Sequence, residues 1–169
     1  MRLSHLLISL VALSVTGCSS VYRVKAVVLA GRIAFIVDPQ SRHQPSCVTD
    51  IDVIASGPAR ARPASGDDVS RVRYGTFWHE SVEDDCVDAF PIKYGQLLKG
   101  RARPFGSAIE VVAPKPLKIG IVYEVAIISP GSAYGSGAFK ILPNRTLVNV
   151  PPPPLAPSNG DATTADISG

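Results

Sequence analysis

Ile119-Gly120-Ile121-Val122-Tyr123-Glu124-Val125-Ala126-Ile127-Ile128-Ser129-Pro130-Gly131-Ser132 is the stretch whose reading decides the fold. Ile119, Ile121, Tyr123, Val125 and Ile127 alternate with Gly120, Val122, Glu124, Ala126 and Ile128. A period of two means extended chain, because successive side chains on a strand point to opposite faces. Both faces here are largely apolar, which places the strand in the middle of a sheet. Ser129-Pro130-Gly131-Ser132 is a turn, and Phe139-Lys140-Ile141-Leu142 supplies the strand that follows it.

Upstream the same grammar repeats: short apolar or alternating runs separated by Gly, Pro, Asp and Ser. Residues 22–29 and 32–38 are β-rich runs joined at Ala30-Gly31, a hairpin turn. Asp38-Pro39 stops the second run, since proline has no N–H for a ladder. Residues 47–56 alternate with Asp50 and Asp52 on one face, and Val72, Tyr74, Thr76 and Trp78 alternate along a further strand. Residues 86–94 and 109–113 complete the strand set, the latter closed by Pro114 and Pro116. Residues 57–70 read as a polar loop. No apolar stripe at helical spacing runs for three turns. The chain is therefore all-β, with seven or eight strands pairing antiparallel.

The run from Leu117 to Val125, with Tyr123 inside it, resembles the tyrosine corner of immunoglobulin-like sandwiches, where the tyrosine hydroxyl bonds back to the nearby backbone. The resemblance covers about a sixth of the chain and implies an immunoglobulin-like antiparallel β-sandwich over residues 21–149. Cys47, Trp78 and Cys86 stand in the Cys-Trp-Cys order of antibody domains, but Trp78 is too near Cys86 for that geometry. The expectation is a related sandwich and not an antibody-family domain.

The ends of the chain have a different character. Arg2 precedes the apolar run Leu6 to Leu13, which is shorter than the roughly 20 residues of a transmembrane helix. Val15-Thr16-Gly17-Cys18 follows and resembles the lipobox of bacterial lipoproteins. The resemblance implies a signal peptide over residues 1–17, acylation of Cys18, and a tether of residues 18–20. Ser19, rather than aspartate, follows the cysteine, which by the bacterial sorting pattern implies the outer membrane, facing the periplasm. So short a tether holds the folded body close to the lipid. From Val150 onward the tetraproline Pro151–Pro154 and a small, polar, acidic end predict a disordered Pro-rich tail over residues 150–169.

Charge and chemistry exclude more than they assign. The formal net charge of +3 is mild and carries no nucleic-acid signature. Cys47 and Cys86 remain after Cys18, an even pair in an oxidising compartment, and are expected to form one disulfide. Neither a zinc-finger spacing nor a nucleophile elbow, P-loop or G-x-G-x-x-G is present. No cofactor, metal site or catalytic residue is expected. The run Glu80, Glu83, Asp84, Asp85, Asp88 lacks calcium-loop spacing and reads as a solvated acidic turn. The basic loops at Arg60 and Arg62 and at Lys99, Arg101 and Arg103 read as solvated charge within reach of lipid headgroups.

The function these readings imply is a lipid-anchored, non-enzymatic protein-interaction or assembly module. Its partners are the membrane, through Cys18, and an envelope protein. A small-ligand or glycan module is the alternative, and would use Tyr74, Trp78 and Tyr134 as an aromatic lining.

Overall fold

In a computed structural model the described residues are 20–56, 75–83, 86–105, 108–109 and 111–151. The signal segment, Cys18, the whole polar loop, Tyr74 and nearly all of the Pro-rich tail lie outside them. The described chain is all-β, without a helix: β1 (Ser20–Leu29), β2 (Arg32–Val37), β3 (Cys47–Val48), β4 (Asp50–Ala55), β5 (Thr76–Ser81), β6 (Asp88–Ala89), β7 (Ile92–Lys93), β8 (Pro104–Phe105), β9 (Ala108–Ile109), β10 (Val122–Ser129), β11 (Ala133–Ile141) and β12 (Leu147–Val150).

One curled sheet carries the architecture, in the order β5-β4-β10-β11-β1-β2-β7, with β12 also paired to β11. Two small two-stranded sheets, β3-β6 and β8-β9, accompany it. β10 sits between β4 and β11, the central place its two apolar faces predict, and is antiparallel to both. The pairing differs from an all-antiparallel expectation at one place: β1 runs parallel to β11, Ser20 opposite Ala133 through Arg23 opposite Ser136. From Val24 onward β1 pairs antiparallel with β2. A single strand thus serves both halves of the curl.

Tight turns set the hairpins. Ala30 and Gly31 both have positive φ (49° and 73°), the left-handed pair that matches the twist of flanking strands. Gly131 and Ser132 do the same between β10 and β11 (75° and 57°). β11 is longer than its sequence suggests and begins at Ala133 directly after the turn. The run 86–94 is divided into β6 and β7 by the Phe90-Pro91 bond, which is cis.

The concave side of the curl is the core. Tyr22 and Val24 from β1, Phe35 from β2, Ile51 and Val53 from β4, Phe77 and Trp78 from β5, Tyr123, Val125 and Ile127 from β10 and Phe139 from β11 are all buried there. Phe35 stacks with Trp78 at 6.4 Å and Tyr123 with Phe139 at 5.4 Å. The two ends of the strand order are drawn together by Tyr94, just after β7. Its hydroxyl lies 3.2 Å from the Phe77 carbonyl oxygen of β5 and 2.8 Å from that of Lys115, and its ring meets Trp78 edge-on at 5.4 Å. Tyr123 makes the bond expected of it: the Lys118 N–H donates to its hydroxyl at 2.7 Å.

Where β1 leaves β11, a side chain takes over the ladder. The Asn149 carboxamide of β12 accepts from the Ala26 N–H at 2.7 Å and donates to the Ala26 carbonyl at 2.9 Å. It supplies one donor and one acceptor, as a backbone partner would.

Candidate functional site

The end of the sheet where the chain enters β1 gathers most of the unusual chemistry. The Ser20 N–H donates to the Ser132 carbonyl in the β10–β11 turn at 3.2 Å. Two residues on, the Tyr22 ring turns inward over Gly135, where an added Cβ would collide with it. The Ser129 hydroxyl donates to the Cys47 carbonyl at 2.6 Å, so the Tyr22 hydroxyl donates to Ser129 at 2.9 Å. This buried relay ties β1 to β10 and β10 to β3. Burial raises the Tyr22 hydroxyl to about 12, a rise that the Ser129 bond partly opposes.

β3 is held from the other side by the Cys47–Cys86 disulfide, which closes a sequence separation of 39 residues. The segment after β2 covers the remaining edge of β1. The Asp38 carboxylate accepts from the Gln40 N–H at 3.0 Å and pairs with Arg23 at 3.3 Å and Lys25 at 3.1 Å. The Gln40 bond first, and the two cations after it, hold this carboxyl below the usual range, against the opposing effect of burial. Ser41 accepts from the Arg23 N–H, and the His43 ring lies 6.4 Å from that of Tyr22.

On the outer face at the same end, strand register lines up three apolar side chains. Val21 of β1 is opposite Tyr134 of β11, and Tyr134 is opposite Ile128 of β10. Val21 is 70% exposed and Tyr134 46%, while Ile128 is half-buried.

Of the residues expected to line an aromatic ligand site, Trp78 and Tyr134 are not brought together. Trp78 lies wholly in the core, and Tyr134 is on the outer surface. Tyr74 is outside the described residues. Cys47 and Cys86 do meet, as expected.

The acidic turn differs from a solvated one. Glu80 and Asp88 are buried, and Asp88 accepts from the Lys99 N–H at 2.6 Å. Burial pushes the Glu80 carboxyl up, with the Leu98 N–H and the nearby Trp78 indole opposing the rise. Alternation along β5 turns Glu80 inward on the same face as Trp78, which composition alone hides. Glu83 pairs with Arg101 at 3.0 Å, and the Arg103 guanidinium bonds the Val82 carbonyl at 3.1 Å, so these two of the loop's three cations are engaged locally. Asp84, Asp85, Arg60 and Arg62 lie outside the described residues.

His79 sits opposite Asp52 on β5 and β4, and its backbone bridges Val112. Among the described residues no group of three or more His, Cys, Asp or Glu side chains is placed to share a metal ion. Sequence reasoning missed Asn149, Ser129 and the outward row. The available signal was an asparagine inside the strand Leu147-Val148-Asn149-Val150, since asparagine is depleted in strands and needs a partner there. No family model, curated protein or solved structure matches this chain.

Proposed function

We propose that this chain is a lipid-anchored, non-enzymatic protein-interaction module of the cell envelope, acylated at Cys18 and facing the periplasm from the outer membrane. The supporting observation is the geometry of β1. It begins at Ser20, two positions after Cys18, and runs the length of the curl to an opposite end that carries exposed Val28, Leu29 and Ile119. An anchor at one end leaves the other facing the periplasm. Exposed apolar side chains gathered at the free end of a small domain are the usual mark of a surface that another protein covers.

An immunoglobulin-like ancestry fits this reading. The Lys118-to-Tyr123 bond is of the tyrosine-corner kind and stands at the start of β10, directly before the β10–β11 hairpin.

The test is a crosslinking pull-down from native envelopes with a photoreactive residue at position 29, run beside a Cys18→Ala version. One envelope protein recovered in stoichiometric amount by the anchored form, and lost with Val28→Asp, is the expected result. Recovery of glycan or lipid alone would defeat the protein-interaction reading and move the assignment to a ligand-binding module.

A further inference from the structure

We propose that the row Val21–Tyr134–Ile128 is the face on which the anchored domain rests against the bilayer, so that the protein lies on its membrane in one orientation. The inference rests on acylation of Cys18. Its argument is one of reach and register. Only Ser19 stands between Cys18 and the first residue of β1, and two extended steps of chain span about 7 Å. Ser20 is itself fixed to the β10–β11 turn through Ser132. The acylated residue is therefore confined to the neighbourhood of that turn, and the domain cannot stand off on a flexible stalk.

What the sheet offers at that spot is apolar and outward. Val21 and Tyr134 are direct neighbours across the parallel ladder, and Ile128 is the next in the row. An exposed valine beside an exposed tyrosine suits the boundary between acyl chain and headgroup, where a tyrosine ring is apolar at its base and wet at its hydroxyl. Farther along β1 and β11 the outer face changes to Arg23 and Ser136, which pair two register positions on. Arg42, exposed, follows Ser41 in the segment packed along the same end of β1 and adds a cation at this end of the sheet. A protein partner would have to fit between the row and a lipid held one short step away. A lipid surface is the occupant that the tether itself delivers.

The experiment uses full-length mature protein, purified with its lipid and reconstituted in phosphatidylethanolamine–phosphatidylglycerol vesicles. With Cys18 acylated and Cys47 bonded to Cys86, a cysteine introduced by Tyr134→Cys, Val21→Cys or Val28→Cys is the one free thiol and takes a fluorophore alone. Nitroxide lipids spin-labelled at the headgroup are expected to quench positions 134 and 21 at least threefold more than position 28. Equal quenching at all three, on protein whose mass shows the acyl chains, overturns the orientation and leaves the anchor intact. A mass without acyl chains overturns both. Photocrosslinking from position 134 to an envelope protein instead of to lipid would also overturn it.

Discussion

Asn149 offers the sharpest test of how the two halves of the curl are joined. Its carboxamide is the partner that Ala26 finds on the side of β1 away from β2, giving one bond in each direction at 2.7 and 2.9 Å. Ala26 is buried, so truncating Asn149 leaves a backbone N–H and a carbonyl without a partner in a place water reaches poorly. The asparagine itself is exposed, so little apolar burial is lost with it. At about 0.5–1.5 kcal/mol for each net hydrogen bond, Asn149→Ala should cost about 1–3 kcal/mol.

Asn149→Asp separates this account from a generic packing effect. The aspartate keeps the acceptor for the Ala26 N–H but sets a second anionic oxygen against the Ala26 carbonyl. Its folded-state pKa is therefore raised above the unfolded value of about 3.9. The group's contribution is fully present below the unfolded value, where its O–H can donate, and is lost as pH rises through the folded one. Urea unfolding followed by Trp78 fluorescence, with wild type measured at each pH, should show the aspartate variant more destabilised at pH 7 than at pH 4. The alanine variant should show the same loss at both. A loss under 0.3 kcal/mol for alanine, or a pH-independent loss for aspartate, would refute the ladder role.

Three further outcomes follow from the same end of the molecule as Tyr22. Gly135→Ala drives a Cβ into the Tyr22 ring and should cost about 1–3 kcal/mol, measured by urea unfolding. The loss should shrink in a Tyr22→Leu background, and an additive cycle would show that the contact does not matter. Opening the disulfide with Cys47→Ser and Cys86→Ser together should lower stability by about 4 kcal/mol for a loop of this length, read from the denaturation midpoint. Because the Tyr22 pKa rises from 10.0 to about 12 on folding, its contribution is whole below pH 10 and lost as pH climbs toward 12, at most about 2.7 kcal/mol. Tyr22→Phe should flatten that alkaline decline, and an unchanged slope would place it with Tyr94 and Tyr123, whose hydroxyls burial also raises.

The sequence speaks clearly where one strand answers to one face. Tyr123, Val125 and Ile127 announce β10 because their alternation has a single cause, the core on one side. Ala30-Gly31 announces its hairpin because few residue pairs tolerate two left-handed conformations. β11 is quieter for a physical reason. Gly135 and Gly137 read as loop, yet they are small because a side chain approaches at one and a backbone at the other. Tyr22 fills the space above Gly135, and the Val24 carbonyl passes where a Cβ of Gly137 would stand. Both contacts come from β1, more than a hundred residues away, and no local pattern encodes them. The same distance hides the parallel pairing. The candidate aromatic lining fails for the converse reason: Trp78 looks like a ligand platform in composition, but its place on β5 makes it the centre of the core.

These contacts bear on what an anchor at Cys18 would ask of the fold. A pull on the tether is delivered to β1, and β1 is the strand both halves of the curl share. Along its first four residues it is held by the parallel ladder to β11, and along the next six by β2. At the handover, Tyr22 is locked inward by Ser129 and the Arg23 N–H is taken by Ser41. Farther along, Asn149 closes Ala26 from the outside. Force along the strand therefore loads many hydrogen bonds in parallel instead of peeling them one at a time. A domain tethered at its N-terminus is best served when that first strand is paired along its whole length, and β1 has this property.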